Sequence, residues 1–256
     1  MWNSFNTGTP DGMTASVVTL AGANGDQVHA YAARPEGKGP FPGIVLIHHA
    51  PGWDELYREF TRRFAQHGYN AICPDLYCRF GHGKPDEVTE KMRAAGGVAD
   101  QQVVDDCVAA IKWLKALPTS NGKVGVIGYC SGGRQSYLAA CLLPIEAAVD
   151  CYGGGVVMTP DQLSPARPTS PIDLTEKMGA ALLGLFGKDD RNPDPAMVAR
   201  MEEALTKHGK TFEFHSYDDA GHAFFSVDRP SYRVEAAKDG WKQIWTWFGT
   251  HLGGAA

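Results

Sequence analysis

The sequence predicts an α/β protein with a mostly parallel central sheet that carries helices on both faces. From Gly43 onward, short apolar runs alternate with longer amphipathic segments. Strands of a parallel sheet are buried on both sides and therefore form continuous apolar runs, and the longer segments have the length of crossover helices. The chain has 256 residues, enough to bury one large hydrophobic core. We therefore expect residues 1–256 to form a single domain.

A β-hairpin is expected before this alternation begins. Strand-like residues occur at 17–20 and 28–32, and Asn24 and Gly25 lie between them. The Asn-Gly pair favours the positive φ angles of a tight turn. The chain is therefore predicted to open with an N-terminal hairpin of two antiparallel strands.

The remaining elements follow in strand–helix order. Gly68 and Pro118 mark helix ends, because glycine is favoured just past a helix and proline cannot continue one. The predicted strands are residues 44–47, 71–73, 123–128, 147–150, 181–186 and 212–217, and the predicted helices are residues 54–67, 100–117, 132–143, 195–208 and 232–252. Two stretches, residues 75–85 and 153–170, are longer than ordinary βα connections, so we expect functional or lid-like loops there.

Charge and composition exclude several classes of partner. Lys and Arg number 24 against 29 Asp and Glu, a net charge of −5, and the cationic residues form no stripe. We therefore expect neither nucleic acid nor a membrane as a partner, while small neutral or anionic substrates remain open. No apolar run reaches about 20 residues and no signal-peptide pattern occurs, so a cytoplasmic location is predicted. The 6 cysteines form no CxxC pair, which fits a reducing compartment.

The most informative segment is the strand-to-helix junction Gly128-Tyr129-Cys130-Ser131-Gly132. This spacing is that of a nucleophile elbow with a cysteine at its centre, and its glycines are needed because the turn is too tight for larger side chains. At the start of a helix, Cys130 would feel the positive end of the helix dipole, which favours a thiolate. The other cysteines lack this context and are interpreted as small structural residues. We predict Cys130 as the nucleophile.

A base and an orienting acid are expected in the loops after the last two strands. His222 follows residues 212–217, and nucleophile, acid, histidine is the chain order that this type of elbow uses. We predict that His222 removes the thiol proton and that an aspartate holds its tautomer. Asp189, Asp190 and Asp194 all fit this role, and each could equally be a turn or cap residue. Asp189 is chosen because it is nearest the strand end.

The oxyanion donors are predicted at two backbone positions. Ser131 supplies one N–H in the first turn of a helix, and the loop after residues 44–47 supplies the other. Pro51 has no N–H, so Ala50 is chosen. A His-His pair precedes Ala50, but adjacent residues of an extended chain point apart, and no carboxylate-bearing metal motif accompanies them. The sequence therefore predicts no metal site and no cofactor.

Together these motifs resemble the dienelactone hydrolase family, the cysteine-dependent branch of the α/β-hydrolases, over nearly the whole chain. The resemblance rests on residues 43–53, Cys73-Pro74-Asp75-Leu76-Tyr77, Gly128-Tyr129-Cys130-Ser131-Gly132-Gly133, Asp189 and Gly221-His222-Ala223-Phe224-Phe225. It implies an α/β-hydrolase fold without a large cap domain and a triad of Cys130, His222 and Asp189. It also implies hydrolysis of esters or lactones, the type activity being the ring-opening of an unsaturated butenolide carboxylate.

Two positions depart from the family pattern. His49 stands where members with that activity carry a glutamate that contacts the resting thiol, and Ser226 stands where they carry an arginine that binds the substrate carboxylate. Arg79 and Arg134 are the candidate replacements for that positive charge. Residues expected to contact the substrate are His49, Trp53, Tyr77, Arg79, Phe224 and Phe225, the aromatic ones as the lining of an apolar pocket.

The leading hypothesis is a thiol-dependent hydrolase of a small ester or lactone that works through an acyl-enzyme. Cys130 would attack the carbonyl, and His222 would protonate the leaving group and then activate water. An acyltransferase would use the same residues with another acceptor. A non-catalytic homologue that binds a small molecule, or that senses oxidants through Cys130, is the alternative from another class.

Overall fold

The computed structural model describes residues 12–253, a range that contains eight strands and six α-helices. The strands are β1 (Met13–Ala21), β2 (Gln27–Pro35), β3 (Phe41–Ile47), β4 (Asn70–Pro74), β5 (Ser120–Tyr129), β6 (Ala147–Cys151), β7 (Ala181–Gly187) and β8 (Phe212–Tyr217). The helices are α1 (Glu55–Gln66), α2 (Pro85–Ala94), α3 (Asp100–Lys115), α4 (Ser131–Leu142), α5 (Pro195–Lys207) and α6 (Val234–Leu252). Short 3₁₀ helices occupy Cys78–Phe80, Pro160–Gln162 and Pro171–Lys177.

The strands form one sheet in the spatial order β1-β2-β4-β3-β5-β6-β7-β8. β2 pairs antiparallel with both β1 and β4, whereas every other neighbouring pair is parallel. The predicted opening hairpin and the mostly parallel sheet are thereby confirmed. Because β3 and β5 to β8 run in one direction, their carboxyl ends share one edge of the sheet, where ligands of open α/β sheets bind.

Helices cover both faces of the sheet, as predicted. α1 and α6 pack on one face through aromatic side chains, among them Phe60, Phe64 and Trp241. The rings of Phe60 and Trp241 meet edge to face with centroids 5.2 Å apart, a contact that contributes roughly 0.5–1.5 kcal/mol beyond its area burial. α3, α4 and α5 cover the other face, where the buried side chains are mostly aliphatic.

Two aspartates fix the starts of helices close to the carboxyl edge of the sheet. Asp54 precedes α1 and accepts the N–H of Tyr57, and Asp194 precedes α5 and accepts the N–H of Met197 at 2.7 Å. Such caps satisfy N–H groups that have no partner inside the helix. The carboxylate of Asp194, one of the three candidates for the orienting acid, therefore caps the helix that it precedes.

The segment that forms α2 is not predicted as a helix from the sequence. Only three of its side chains are buried, Val88, Thr89 and Met92, so its apolar pattern is too sparse to indicate a helix. Its first residue is Pro85, a residue that the first helical position tolerates because no N–H is needed there.

The long segment of residues 153–170 is held down against the rest of the fold. The Ser170 hydroxyl donates to the carbonyl oxygen of Val156 and accepts the N–H of Met158, both at 2.9 Å. The N–H of Asp100, at the start of α3, donates to the carbonyl oxygen of Ala166 at 2.8 Å.

None of the helices between residues 12 and 253 is both long and apolar enough to cross a membrane.

Candidate active site

The turn between β5 and α4 has the geometry of a nucleophile elbow. Cys130 has φ 58° and ψ −122°, a conformation that residues other than glycine rarely adopt. A Cβ atom at Gly128 would lie 1.9 Å from the carbonyl oxygen of Gly132, and one at Gly132 would lie 2.1 Å from the carbonyl oxygen of Ile47. Larger residues are therefore excluded on both sides of the turn, and the Cys130 side chain faces a cavity at the carboxyl edge of the sheet.

His222 lies beside Cys130 and is held by Asp190. Nδ1 of His222 is 2.8 Å from Oδ2 of Asp190, whose side chain is 3% exposed. The other carboxylate oxygen of Asp190 accepts the N–H of Asn192 at 2.9 Å. The sequence-based choice of Asp189 is therefore wrong for this contact. The N–H of Asp190 bonds the carbonyl oxygen of Gly187, and this turn leaves the Asp189 side chain exposed to solvent.

Three groups converge on the sulfur of Cys130. Burial opposes ionisation of the thiol, but the hydrogen bond and charge of His222 and the N–H groups of Ser131 and Ala50 hold the pKa of Cys130 below its usual value. Burial also disfavours a charge on His222, yet Asp190 and the ionised Cys130 raise the pKa of the imidazole. The geometry therefore favours a thiolate–imidazolium pair. Ala50 and Ser131 contact the sulfur as oxyanion donors would, and their catalytic role stays a prediction.

A small cavity adjoins the thiol. Its volume is about 30 Å³, room for about one water molecule. Its lining comprises His49, Pro51, Leu56, Tyr57, Phe60, Tyr129, Cys130, Tyr152, His222, Ala223, Ser226 and Arg229. The hydroxyl groups of Tyr57 and Tyr129 are buried and bond to no other atom of the part of the chain that is described. Buried hydroxyl groups ordinarily have a partner, so both are candidates to bond a small molecule here.

His49 is the one residue of the predicted substrate-contacting set that lines this cavity. Its Nε2 is 2.7 Å from Oδ2 of Asp54, and the residue is 4% exposed. The preceding His48 is bound elsewhere: its Nδ1 lies 2.9 Å from the carbonyl oxygen of His49, and its Nε2 accepts the N–H of Leu76 at 3.1 Å. Burial lowers the pKa of His48 to about 4, so this imidazole is neutral. Within residues 12–253 there is no cluster of His, Cys, Asp or Glu that could hold a metal ion.

Trp53 and Tyr77 lie in a neighbouring cleft rather than in the cavity at the thiol. That cleft has a volume of about 360 Å³. Nε1 of Trp53 donates to the carbonyl oxygen of Cys73 at 3.0 Å, and the Tyr77 hydroxyl donates to the carbonyl oxygen of Ala50 at 3.2 Å. Neither ring lines the cavity at Cys130, and their contact with substrate stays a prediction. Tyr77 instead supports the backbone that carries the predicted oxyanion donor.

Phe224 and Phe225 are core residues, so their prediction as pocket lining is also wrong. They are 0% and 1% exposed, and the ring of Phe225 packs edge to face on Trp241 of α6 with centroids 5.6 Å apart. Ala223 has φ 65° directly after His222, and the chain then turns into the core. The imidazole stays at the surface of the site while the two phenyl rings anchor its loop.

The two candidate arginines are both bound by carboxylates, which contradicts a role in holding substrate. Arg79 makes a bidentate contact with Asp106, with both distances 2.8 Å, and also contacts Asp26. Arg134 is 2% exposed, and its guanidinium pairs with Asp100 and donates to the carbonyl oxygen of Gly155 at 3.0 Å. Neither residue lines the cavity at Cys130.

Sequence reasoning missed two charged residues of the site, Asp54 and Arg229. Asp54 could have been found, because it stands at the predicted start of a helix shortly after His49. Arg229 lies on an irregular exposed loop and reaches the cavity rim from there, so no local pattern indicates it. Residues 153–170 contribute nothing to the lining, which gives no support to a lid over the thiol.

Comparison with known proteins identifies the family of this chain. Residues 28–252 match the dienelactone hydrolase family. The "Putative carboxymethylenebutenolidase" of Methylorubrum extorquens is 36% identical over 242 residues, which cover 93% of this chain and 81% of that protein. The protein of the same description from Escherichia coli strain K12 is 34% identical over 246 residues, covering 94% of this chain and 89% of its own length.

A solved structure gives the same result for the fold. The crystal structure of a "Putative Dienelactone Hydrolase" from Klebsiella pneumoniae superposes with a TM-score of 0.85 at 32% sequence identity. The superposition covers 93% of this chain and 99% of that one. The chain has the α/β-hydrolase fold and belongs to the dienelactone hydrolase family.

Proposed function

We propose that this chain is a thiol-dependent hydrolase of small esters or lactones, with Cys130 as nucleophile, His222 as base and Asp190 as the residue that orients the base. The observation that carries the proposal is the line of contacts from Asp190 through His222 to the sulfur of Cys130 at the elbow. The names of the relatives support the substrate class, since a carboxymethylenebutenolide is a lactone.

The first half-reaction acylates the enzyme. His222 takes the thiol proton, and the thiolate attacks the carbonyl carbon of the substrate. The carbonyl oxygen becomes an oxyanion, which the N–H groups of Ala50 and Ser131 would stabilise, since both already contact the sulfur that attacks the carbonyl. Removal of one such donor typically costs about 10²–10³ in kcat. The bond to the leaving oxygen then breaks, the oxygen takes a proton, and a thioester remains on Cys130.

The second half-reaction releases the acid. A water molecule attacks the thioester with a histidine as its base, the carbon–sulfur bond breaks, and the thiolate returns to its pair with His222. The cavity at the thiol has a volume of about 30 Å³, close to the size of one water molecule. The relatives are described as carboxymethylenebutenolidases, which supports hydrolysis over acyl transfer to another acceptor.

The test is hydrolysis of para-nitrophenyl butyrate by the wild type and by Cys130→Ala, with circular dichroism as the check on folding. We expect steady turnover by the wild type and its loss in the variant. Acid quenching during turnover should add the mass of one butyryl group to the peptide that contains Cys130. Cys78→Ala is the matched control, because it removes a partly exposed thiol outside the site, and it should keep full activity. Equal rates for the wild type and Cys130→Ala, or no turnover by the wild type, would contradict the proposal.

A further inference from the structure

A second histidine–aspartate pair stands in the wall of the cavity at Cys130. Nε2 of His49 and Oδ2 of Asp54 are 2.7 Å apart, and both groups are shielded, with side-chain exposures of 5% and 26%. Asp54 is fixed by its place at the start of α1, where it caps the N–H of Tyr57. The ring of Tyr57 packs against the imidazole with centroids 4.9 Å apart. The hydrogen bond and the ring contact therefore hold the imidazole of His49 against the start of α1.

The hydrogen bond determines which nitrogen of His49 can react. Burial raises the pKa of Asp54, but the hydrogen bond from His49 outweighs this effect and the pKa lies below its usual value, so the group is a carboxylate. A carboxylate only accepts hydrogen bonds, and Nε2 must therefore carry a proton in every charge state. Nδ1 is then the atom that gains or loses a proton. His48 offers no such atom, because hydrogen bonds occupy both of its ring nitrogens.

His49 is also close to the reacting atoms along the chain. It directly precedes Ala50, whose N–H contacts the sulfur of Cys130. It lines the same cavity as Cys130 and His222, so two imidazoles, each bound to its own aspartate, share one small space. The leaving oxygen of a substrate is bonded to the carbonyl carbon that the sulfur attacks, so it lies beside the thiol that this cavity adjoins.

We propose that His49, oriented by Asp54, is a second acid–base residue of the site and carries the proton of the leaving-group oxygen. This inference rests on the proposed thiol hydrolase. It differs from a scheme in which His222 alone moves every proton, because a second imidazole held by its own carboxylate lines the same cavity.

The proton transfers balance over one cycle. During acylation the sulfur–carbon bond forms, the carbon–oxygen bond to the leaving group breaks, and imidazolium His49 gives its Nδ1 proton to the departing oxygen. During hydrolysis the water oxygen bonds to the acyl carbon, the carbon–sulfur bond breaks, and neutral His49 takes one water proton at Nδ1. His222 keeps the thiol proton throughout, and the net reaction consumes one ester and one water and yields one acid and one alcohol.

The test compares two esters of the same acid that differ in their need for a proton on the leaving oxygen. Para-nitrophenyl butyrate releases a stable phenolate, whereas ethyl butyrate must release a protonated alcohol. The variants are His49→Gln and Asp54→Asn, with His208→Gln at the end of α5 as a matched histidine control away from the cavity. Asn at position 54 retains an oxygen that can cap α1. Circular dichroism and the alkylation rate of Cys130 check that each variant keeps its fold and its thiolate.

We expect His49→Gln to lower kcat/KM for ethyl butyrate about 10²-fold or more and to change kcat/KM for the aryl ester only a few-fold. Slow hydrolysis of the thioester should also produce an initial burst of phenolate from this variant. Asp54→Asn should show the same pattern with a smaller loss, and His208→Gln should match the wild type. Equal losses on both esters, or no loss on either, would overturn the role of His49. Activity that persists in Cys130→Ala would instead overturn the thiol mechanism itself, so the two failures are distinguishable.

Discussion

Asp190 and His222 are joined by a hydrogen bond of 2.8 Å between Oδ2 and Nδ1, although another aspartate stands one position closer to the strand end. The turn from Gly187 to Asp190 places the Asp189 side chain in solvent and buries that of Asp190. A buried carboxylate at Nδ1 fixes the tautomer in which Nε2 faces the thiol. It also stabilises the imidazolium that forms when the thiol ionises.

Asp190→Asn should therefore reduce activity far more than Asp189→Asn. We expect kcat/KM for an activated ester to fall about 10²- to 10⁴-fold in Asp190→Asn, because the amide no longer stabilises a charged His222. Asp189→Asn removes an exposed carboxylate and should remain within a few-fold of the wild type. Steady-state kinetics of both variants provide the measurement. A large loss in the Asp189 variant together with a small loss in the Asp190 variant would reverse the assignment.

The elbow, the parallel sheet and His222 could be predicted because their signals are local. Gly128 and Gly132 are required by clashes within one turn, and the buried strand before them is visible as an apolar run. The choice between two adjacent aspartates depends instead on the direction in which a turn leaves the strand. Sequence spacing carries no information about that direction.

Ion pairs between residues that are distant in sequence could not be predicted from local sequence patterns either. Arg134 pairs with Asp100 across the packing of α4 on α3, and Arg79 pairs with Asp106 of α3. The sequence around a single arginine does not indicate which carboxylate will contact it once the helices pack. The pairing of His49 with Asp54 is closer in sequence, yet it depends on the helix start that turns Asp54 back toward the loop.

Cys130 should be the cysteine that reacts with iodoacetamide near neutral pH. Only at this position do His222 and two backbone N–H groups hold the thiol pKa below its usual value, while burial raises the pKa of each other cysteine. The remaining thiols are those of Cys73, Cys78, Cys107, Cys141 and Cys151. Peptide mass spectrometry after one equivalent of reagent measures the selectivity.

The pH dependence of this alkylation has a defined sign. The rate follows the thiolate fraction, so it should rise with pH through a midpoint below that of an ordinary thiol. His222→Gln removes the hydrogen bond and charge that favour the thiolate, and the midpoint should move to higher pH. An unchanged midpoint in this variant would show that His222 does not ionise Cys130.

Arg229→Gln should weaken the binding of ester substrates that carry a carboxylate. Arg229 lines the rim of the cavity at Cys130 and is exposed, so its charge can attract an anionic substrate without a large desolvation cost. An exposed ion pair contributes about 0.2–1 kcal/mol, which corresponds to a rise in KM of up to about fivefold. Arg200→Gln on the exposed side of α5 is the matched control. An equal rise in KM for a neutral ester would indicate a general effect on the pocket instead.

Arg134→Leu should destabilise the fold strongly while acting away from the thiol. The guanidinium and the Asp100 carboxylate form a bidentate ion pair, and both residues are buried. Removal of one member of a buried pair leaves an uncompensated charge and typically costs about 3–5 kcal/mol. Urea unfolding measures the loss. A change below about 1 kcal/mol would mean that the remaining carboxylate finds water or another donor, and Asp100→Asn in the same background would then have no further effect.

Asp150→Asn should make stability less dependent on pH. Oδ1 of Asp150 accepts the N–H of Gly153 at 2.8 Å, whereas the buried Oδ2 has no partner among residues 12–253. Burial raises the pKa of this carboxyl from 3.8 to about 7. The folded state therefore binds the proton more tightly than the unfolded chain, and the stability that this gives below pH 3.8 is lost as the pH rises to about 7. The wild type should lose up to about 1.4 kcal/mol per pH unit from this group in that window.

The asparagine keeps the acceptor for Gly153 and cannot ionise, so the unfolding free energy of the variant relative to the wild type should increase with pH. A constant difference across the window would show that Asp150 is already a carboxylate in acid, with a compensating partner at Oδ2.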